Sequence, residues 1–203
     1  MPTTDDLAQR RRLVGILLFD DVEVLDFAGP YEVFSGTTGP DGMPYLDVVT
    51  IGPGPGAVRA RGGLQVRPTY DVDTCPRLDA LIIPGGPGAD DPSKVQRQQL
   101  LPFIRARAGS TPTVASVCTG AFMLGRAGLL EGRTATTHTS ALARLREEFP
   151  AATVVEAKVV DEGAILTAAG VSSGIDLALH LLQRWFGDEA RVRAARNLDG
   201  PWA

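Results

Sequence analysis

Short apolar runs alternate along the chain with stretches whose apolar residues recur at helical period. Leu13 to Phe19 (LVGILLF) is apolar throughout, as a parallel strand buried on both faces would be. Asp26 to Gly36 has helical spacing and contains Pro30, which is assigned to the first turn because proline is tolerated near a helix start and costly deeper inside. Tyr45 to Ile51 predicts a second strand, stopped by the glycine- and proline-rich 52–56. Val58 to Arg67, broken by Gly62 and Gly63, predicts a hairpin, and Ala80 to Pro84 a buried strand feeding Gly85-Gly86-Pro87-Gly88.

The alternation continues to the end of the chain. Ser93 is placed as the N-cap of a helix through Ala108, with a kink at Pro102. Thr113 to Val117 predicts a strand, Gly120 to Leu130 a helix, Thr134 to Thr137 a short strand and Ser140 to Phe149 a helix. Val154 to Val160 and Ala164 to Ala168 predict an antiparallel hairpin. Ile175, Ala178, Leu179, Leu182, Trp185 and Phe186 form one stripe of a last long helix, ended by Gly187, with Asp188 capping a short final helix. Strands and helices in this order make an α/β protein.

Composition narrows the class. The 203 residues are 44% apolar and 22% charged, enough for one large domain with its own core. Residues 1–12, with Arg10, Arg11 and Arg12, read as a flexible solvated leader, and 13–203 as a single domain. A net charge of -4 offers no basic footprint for nucleic acid. Leu13 to Phe19 is too short for a signal segment or a membrane span. A cytoplasmic protein that binds neither nucleic acid nor membrane is expected. The two cysteines, Cys75 and Cys118, form neither a metal-type pair nor a disulfide framework.

The sharpest chemical signal is Ser116-Val117-Cys118-Thr119-Gly120, a cysteine between a buried strand and a helix. Such a nucleophile elbow thrusts its side chain out at the carboxyl end of the sheet, where open α/β sheets bind ligands. The following helix N-terminus would favour thiolate over thiol. Free cysteine is also among the most buried residue types, so local sequence leaves both readings open. Cys75, with no helix start beside it, reads as structural. Gly85 and Gly86 suit either an oxyanion hole of backbone N–H groups or a plain tight turn. Asp26, between Leu25 and Phe27, is either a carboxyl desolvated into a proton donor or a simple helix cap. Asp20 and Asp21 read as turn residues and Glu23 as a solvated loop residue. His138, ending Ala135-Thr136-Thr137-His138, reads alone as structural, and His180, on the polar face of the last helix, as a solvated or interface residue.

Together the motifs resemble the ThiJ/PfpI superfamily of the class I glutamine-amidotransferase-like fold. The resemblance runs from Val14 to about Trp185. It rests on LLFDDVEVLDFAGPYEVF, ALIIPGGPG, SVCTGAFMLGRAGLL, ATTH and ILTAAGVSSGIDLALHLL in that order. It implies a flavodoxin-like sandwich, with a mostly parallel central sheet and helices on both faces, commonly assembled as a homodimer. The family's elbow cysteine matches Cys118, its acid Asp26 and its histidine His138. Asp26 in LDFAGP with Cys-Thr-Gly at the elbow looks most like the isonitrile hydratase branch, which also resembles the amidase-like domains of AraC-type regulators. The chain stops soon after the final helix, so no helix-turn-helix domain is expected. Two departures stand out: Thr139 follows His138 where tryptophan is frequent, and the acid is aspartate rather than the glutamate of the deglycase and glyoxalase branches.

The resemblance implies addition of water to a small-molecule isonitrile without metal or organic cofactor. Cys118 would be the nucleophile and Asp26 the proton relay. Thr119 would bond the acid or water, the backbone at Gly86 and Thr119 would stabilise developing negative charge, and Gly85, Gly86 and His138 would line the substrate and oxyanion site. A redox or stress sensor at Cys118, a glyoxalase or deglycase, and a peptidase are the alternatives.

Overall fold

The computed structural model describes residues 11–91 and 95–202; the expected leader up to Arg10 and the expected cap Ser93 lie outside the described residues. One sheet of seven strands runs in the order β10-β11-β7-β6-β1-β2-β5. Its centre is β1 (Arg12–Leu17), β6 (Ala80–Ile83) and β7 (Thr113–Val117), flanked by β2 (Leu46–Gly52), β5 (Tyr70–Asp71) and β11 (Ile165–Ala168). Every pairing in it is parallel except β11 with β10 (Val159–Glu162). The continuous apolar runs are there because β6, β7 and β11 are buried along their whole length.

The chain leaves β1 through α1 (Val24–Ser35) toward β2 on one side, and leaves β6 through α2 (Pro87–Asp90) and α3 (Val95–Ala108) toward β7 on the other. Right-handed crossovers in opposite directions put α1 and α3 on opposite faces of the sheet. The long α6 (Ser173–Phe186) packs with α1 and with α7 (Asp188–Asn197), while α4 (Gly120–Arg126) joins α3. Between β1 and β6 the winding therefore reverses. At that switch point the loops after β1, β6 and β7 open together at the carboxyl ends of their strands.

Several expected boundaries move. Helix α1 starts at Val24, so Pro30 sits in the second turn and not the first. Its ring is accommodated by packing on the start of α6, where a Cβ on Gly174 would stand 3.1 Å from Pro30 Cδ. Helix α4 ends at Arg126, short of Leu130, with Gly128 in a left-handed conformation (φ 80°). The expected strand over 154–160 divides: β9 (Thr153–Val154) pairs in parallel with β8 (Thr134–Ala135), and β10 makes the expected hairpin with β11. The expected hairpin at 58–67 is β3 (Val58–Arg59) with β4 (Gln65–Val66). After β8 a short 3-10 turn, Thr139–Ala141, leads into α5 (Leu142–Glu148). The two-residue β5 and four-residue α2 were not predicted by periodicity, which has nothing to repeat over so few residues. Among the described residues no helix is long and apolar enough to cross a membrane.

Helix α4 can start where it does only because its first residue lacks a side chain: a Cβ on Gly120 would lie 2.1 Å from the Ile83 carbonyl oxygen and 2.8 Å from that of Pro84. Backbone cannot yield as a side-chain tip does. Gly120→Ala is expected to cost on the order of 1–3 kcal/mol and lower the melting temperature by several degrees. Thermal unfolding followed by circular dichroism measures it, and an unchanged midpoint would mean that α4 slides freely over β6.

Candidate active site

The three loops converge on one cysteine. Strand β7 is fully buried to Val117, and the next residue, Cys118, has φ 56°, a left-handed conformation that L-residues adopt at a cost of about 1–2 kcal/mol. The turn is over-determined from three sides. The Cys118 N–H donates to the carbonyls of Ala168 (3.1 Å) and Ala169 (2.9 Å) at the end of β11. The Cys118 carbonyl accepts from Thr137 Oγ1 at 2.8 Å, so the threonine-rich segment before His138 clamps the elbow. That role for Thr137 is invisible in sequence, where a threonine in an apolar run reads as strand former. The geometry is the expected nucleophile elbow.

Asp26 comes from the first turn of α1 and has no exposed surface. It does not cap the helix; position Glu23 does so without a side-chain bond. Instead its Oδ2 accepts the Gly85 N–H at 2.9 Å, while Oδ1 is buried with no hydrogen-bond partner. Burial, reinforced by the Glu23 charge, pushes the Asp26 carboxyl up to about 7, against the lowering effect of the Gly85 N–H and the Cys118 thiol. The Cys118 thiol, 7% exposed, is pushed up to about 12, first by burial and then by the charge of Asp26. The Thr119 N–H opposes this without overcoming it. The expected thiolate at the helix N-terminus is thus not the resting form: a helix start cannot outweigh desolvation beside a carboxylate. Thiol and carboxyl form one coupled pair in which, near neutral pH, the carboxyl gains or loses a proton while the thiol keeps its own.

Gly85 and Gly86 stand where the sequence put them, at the floor of the site, but their N–H groups are engaged. Gly85 N–H holds Asp26, and Gly86 N–H donates to Thr119 Oγ1 at 2.9 Å. The expectation that both would stand free as oxyanion donors is therefore corrected. A Cβ on Gly85 would meet Thr119 N at 2.5 Å and Asp26 Oδ2 at 2.9 Å, so glycine is required for the acid and the elbow to close on this loop. Thr119, expected to bond the acid or water, instead ties the elbow to Gly86. The backbone donor directed at the sulfur is the Thr119 N–H.

His138 is close in sequence to the Thr137 clamp but is not bonded to Cys118 or Asp26. Its Nδ1 lies 2.8 Å from Ser140 Oγ and accepts from Ser140 N at 3.2 Å, and its ring covers Gly170. With Lys158, Gly170 and Ser173 it lines a cavity of about 380 Å³ beside the elbow segment. Away from the site, Cys75 is buried, as a structural thiol should be, with Sγ 3.4 Å from the Pro76 carbonyl. His180 Nε2 is hydrogen-bonded to Asp161 Oδ2 at 2.7 Å, tying α6 to β10. Among the described residues no group of three or more His, Cys, Asp and Glu gathers as a metal site would.

Comparison with known proteins adds lineage to geometry. The model of the DJ-1/PfpI family matches residues 12–184. Isonitrile hydratase of Pseudomonas putida is 39% identical over 176 residues, covering 86% of this chain and 72% of that protein. The HTH-type transcriptional regulator GbdR of Pseudomonas aeruginosa is 30% identical over 176 residues, but the chain spans only 47% of its length. Among solved structures, a ThiJ/PfpI family protein from Pseudomonas syringae superposes with a TM-score of 0.80 at 27% identity, over 99% of this chain and 82% of that one. DJ-1beta of Drosophila melanogaster, at 18% identity and TM-score 0.76 over 93% of this chain and 97% of that one, shares the fold.

A carboxyl raised from 3.8 to about 7 by burial destabilises the folded state wherever it must ionise. The stability it allows is fully present below about pH 4 and lost as pH rises through 7, a penalty on the order of 4 kcal/mol. Asp26→Asn is expected to match the parent near pH 4 and to exceed it in stability at pH 8. Urea midpoints at the two pH values check this, and an equal difference at both would mean that folding does not raise the proton affinity of Asp26.

Proposed function

The chain belongs to the DJ-1/PfpI family, and on that premise we propose that it is an isonitrile hydratase, converting a small-molecule isonitrile R–NC and water into the formamide R–NH–CHO. The observation that carries the reading is the buried Cys118–Asp26 pair. An isonitrile carbon must receive a nucleophile and a proton at the same atom, and the pair holds one of each. Similarity to the Pseudomonas putida enzyme supports the same choice.

The steps follow from where the proton sits. Asp26, as carboxylate, takes the Cys118 proton as Sγ bonds to the terminal carbon, and passes that proton to the same carbon. S–H breaks, S–C and C–H form, and the product is the thioimidate R–N=CH–S–Cys118 with Asp26 again a carboxylate. Water then adds to the thioimidate carbon. Asp26 takes one water proton and delivers it to nitrogen, giving R–NH–CH(OH)–S–Cys118. Cleavage of C–S returns the hydroxyl proton to sulfur and releases the formamide. The Thr119 N–H steadies sulfur while it carries negative charge. His138, with Nδ1 held by Ser140, lines the cavity beside the elbow and is assigned to the side of the substituent R. The reading includes a homodimer in the cytoplasm and no cofactor.

Burial weighs against the sensor alternative. A sensor thiol is accessible and ionised near neutral pH, whereas Cys118 is 7% exposed and its thiol stands near 12. The peptidase alternative needs a Cys–His pair, and His138 is bonded to Ser140 instead.

Formamide release from a panel of alkyl and aryl isonitriles tests the proposal. The parent is expected to turn over many equivalents. Cys118→Ala should fall to background and Asp26→Asn by at least a hundredfold, in line with the contribution of a positioned acid–base group. Multiple turnovers by Cys118→Ala would exclude the covalent route, and no turnover by the folded parent on any isonitrile would exclude the function.

A further inference from the structure

In sequence Glu23 reads as a solvated loop residue; in the structure it is largely covered. Its side chain is 19% exposed and paired with Arg61 at 2.5 Å. It is the N-cap residue of α1, with extended backbone (φ -68°, ψ 125°), three residues before Asp26 on the same loop-to-helix junction. One residue holds both: the Gly85 carbonyl accepts the Glu23 N–H at 2.9 Å, and the Gly85 N–H donates to Asp26 Oδ2 at 2.9 Å. Arg61 is brought there by the β3–β4 hairpin, which is latched to the loop after β1 by two backbone bonds, Asp21 N to Arg59 O at 2.8 Å and Arg61 N to Val22 O at 2.9 Å. The hairpin is thus fixed to the loop that carries the acid.

We propose that Glu23, clamped by Arg61, is a positioning residue that sets the pH at which Asp26 holds or yields its proton. The inference rests on the reading of Asp26 and Cys118 as the reacting pair. Asp26 is faced by the Cys118 thiol from the elbow, the Gly85 N–H from the β6 loop and Glu23 from the N-cap of its own helix. Asp20, of the same loop, turns to the Arg59 N–H at 2.8 Å. Glu23 is the neighbouring anion whose charge raises Asp26, and Arg61 feels both Glu23 and the Cys118 sulfur. Anion and cation therefore act on the pair with opposite sign. Removing Glu23's charge eases ionisation of Asp26, and removing Arg61's leaves Glu23 unscreened and hinders it. A pair that served only to pin the hairpin would move neither.

The Asp26 titration can be followed without any substrate, so a wrong choice of reaction does not obscure the result. In protein labelled with carboxyl-13C aspartate, the Asp26 resonance is assigned by its loss in Asp26→Asn. Glu23→Gln is expected to lower its midpoint by roughly half to one pH unit, Arg61→Gln to raise it, and Glu23→Asp to return it toward the parent. Melting curves select the variants that are folded at each pH. Midpoints unchanged in both charge-removing variants, or moved in the same direction, would overturn the proposal, and either variant alone suffices if the other fails to fold.

Discussion

Burying one carboxyl without a countercharge organises the carboxyl edge of this sheet. Asp26 has no exposed surface, accepts one backbone hydrogen bond, from the Gly85 N–H, and otherwise faces the Cys118 thiol. Burial of an isolated carboxylate costs enough that the group takes up a proton instead. The molecule accepts this cost at the mouth of β1, next to a cysteine in a left-handed conformation. Strain and desolvation are concentrated at one point, the candidate active site, and the surrounding bonds explain how they persist. Thr137, Ala168, Ala169 and Gly86 hold the elbow from separate strands and loops, so no single relaxation frees it.

The same constraint sets the glycines. Asp26, Gly85 and Thr119 approach so closely that a methyl group on Gly85 has nowhere to go, and Gly120 lets α4 begin against the end of β6. The glycine-rich loop is therefore not an open anion cradle. Its N–H groups are spent on the acid and on Thr119. Fold and chemistry meet in the topology: reversal of winding between β1 and β6 brings the loops after β1, β6 and β7 to one place.

The sheet was legible in sequence because strands buried on both faces are apolar without interruption, and LVGILLF, ALII and TVASV are such runs. Cys118 and Asp26 were legible as candidates for the same reason: each is a polar or reactive residue set against an apolar neighbourhood. What sequence did not carry is pairing. Whether a glycine N–H is free or spent depends on which side chain arrives from elsewhere in the chain, 59 residues away for Gly85 and Asp26. The Glu23–Arg61 pair spans 38 residues, so Glu23 looked like one more loop acid. Periodicity likewise ran one strand through 154–160, because the change of partner from β8 to β11 leaves no mark on local pattern. Competition between a helix start and desolvation at Cys118 needed burial to be known before its sign could be.

That sign bears on the chemistry. A thiolate standing permanently free would attack an isonitrile but leave the protonation of carbon to solvent, which a buried site excludes. In the proposed reaction the sulfur is a nucleophile only while Asp26 holds its proton, so nucleophile and acid are generated in one transfer and spent on one carbon. The high proton affinity of the Cys118 thiol, unfavourable for a cysteine that must wait ionised for an oxidant, suits a reaction in which S–H adds as a unit. The groups that shift the balance between thiol and carboxyl then matter more than those that stabilise either ion alone. The Glu23–Arg61 pair, poised on the loop that carries the acid, is where this chain has charge to adjust it.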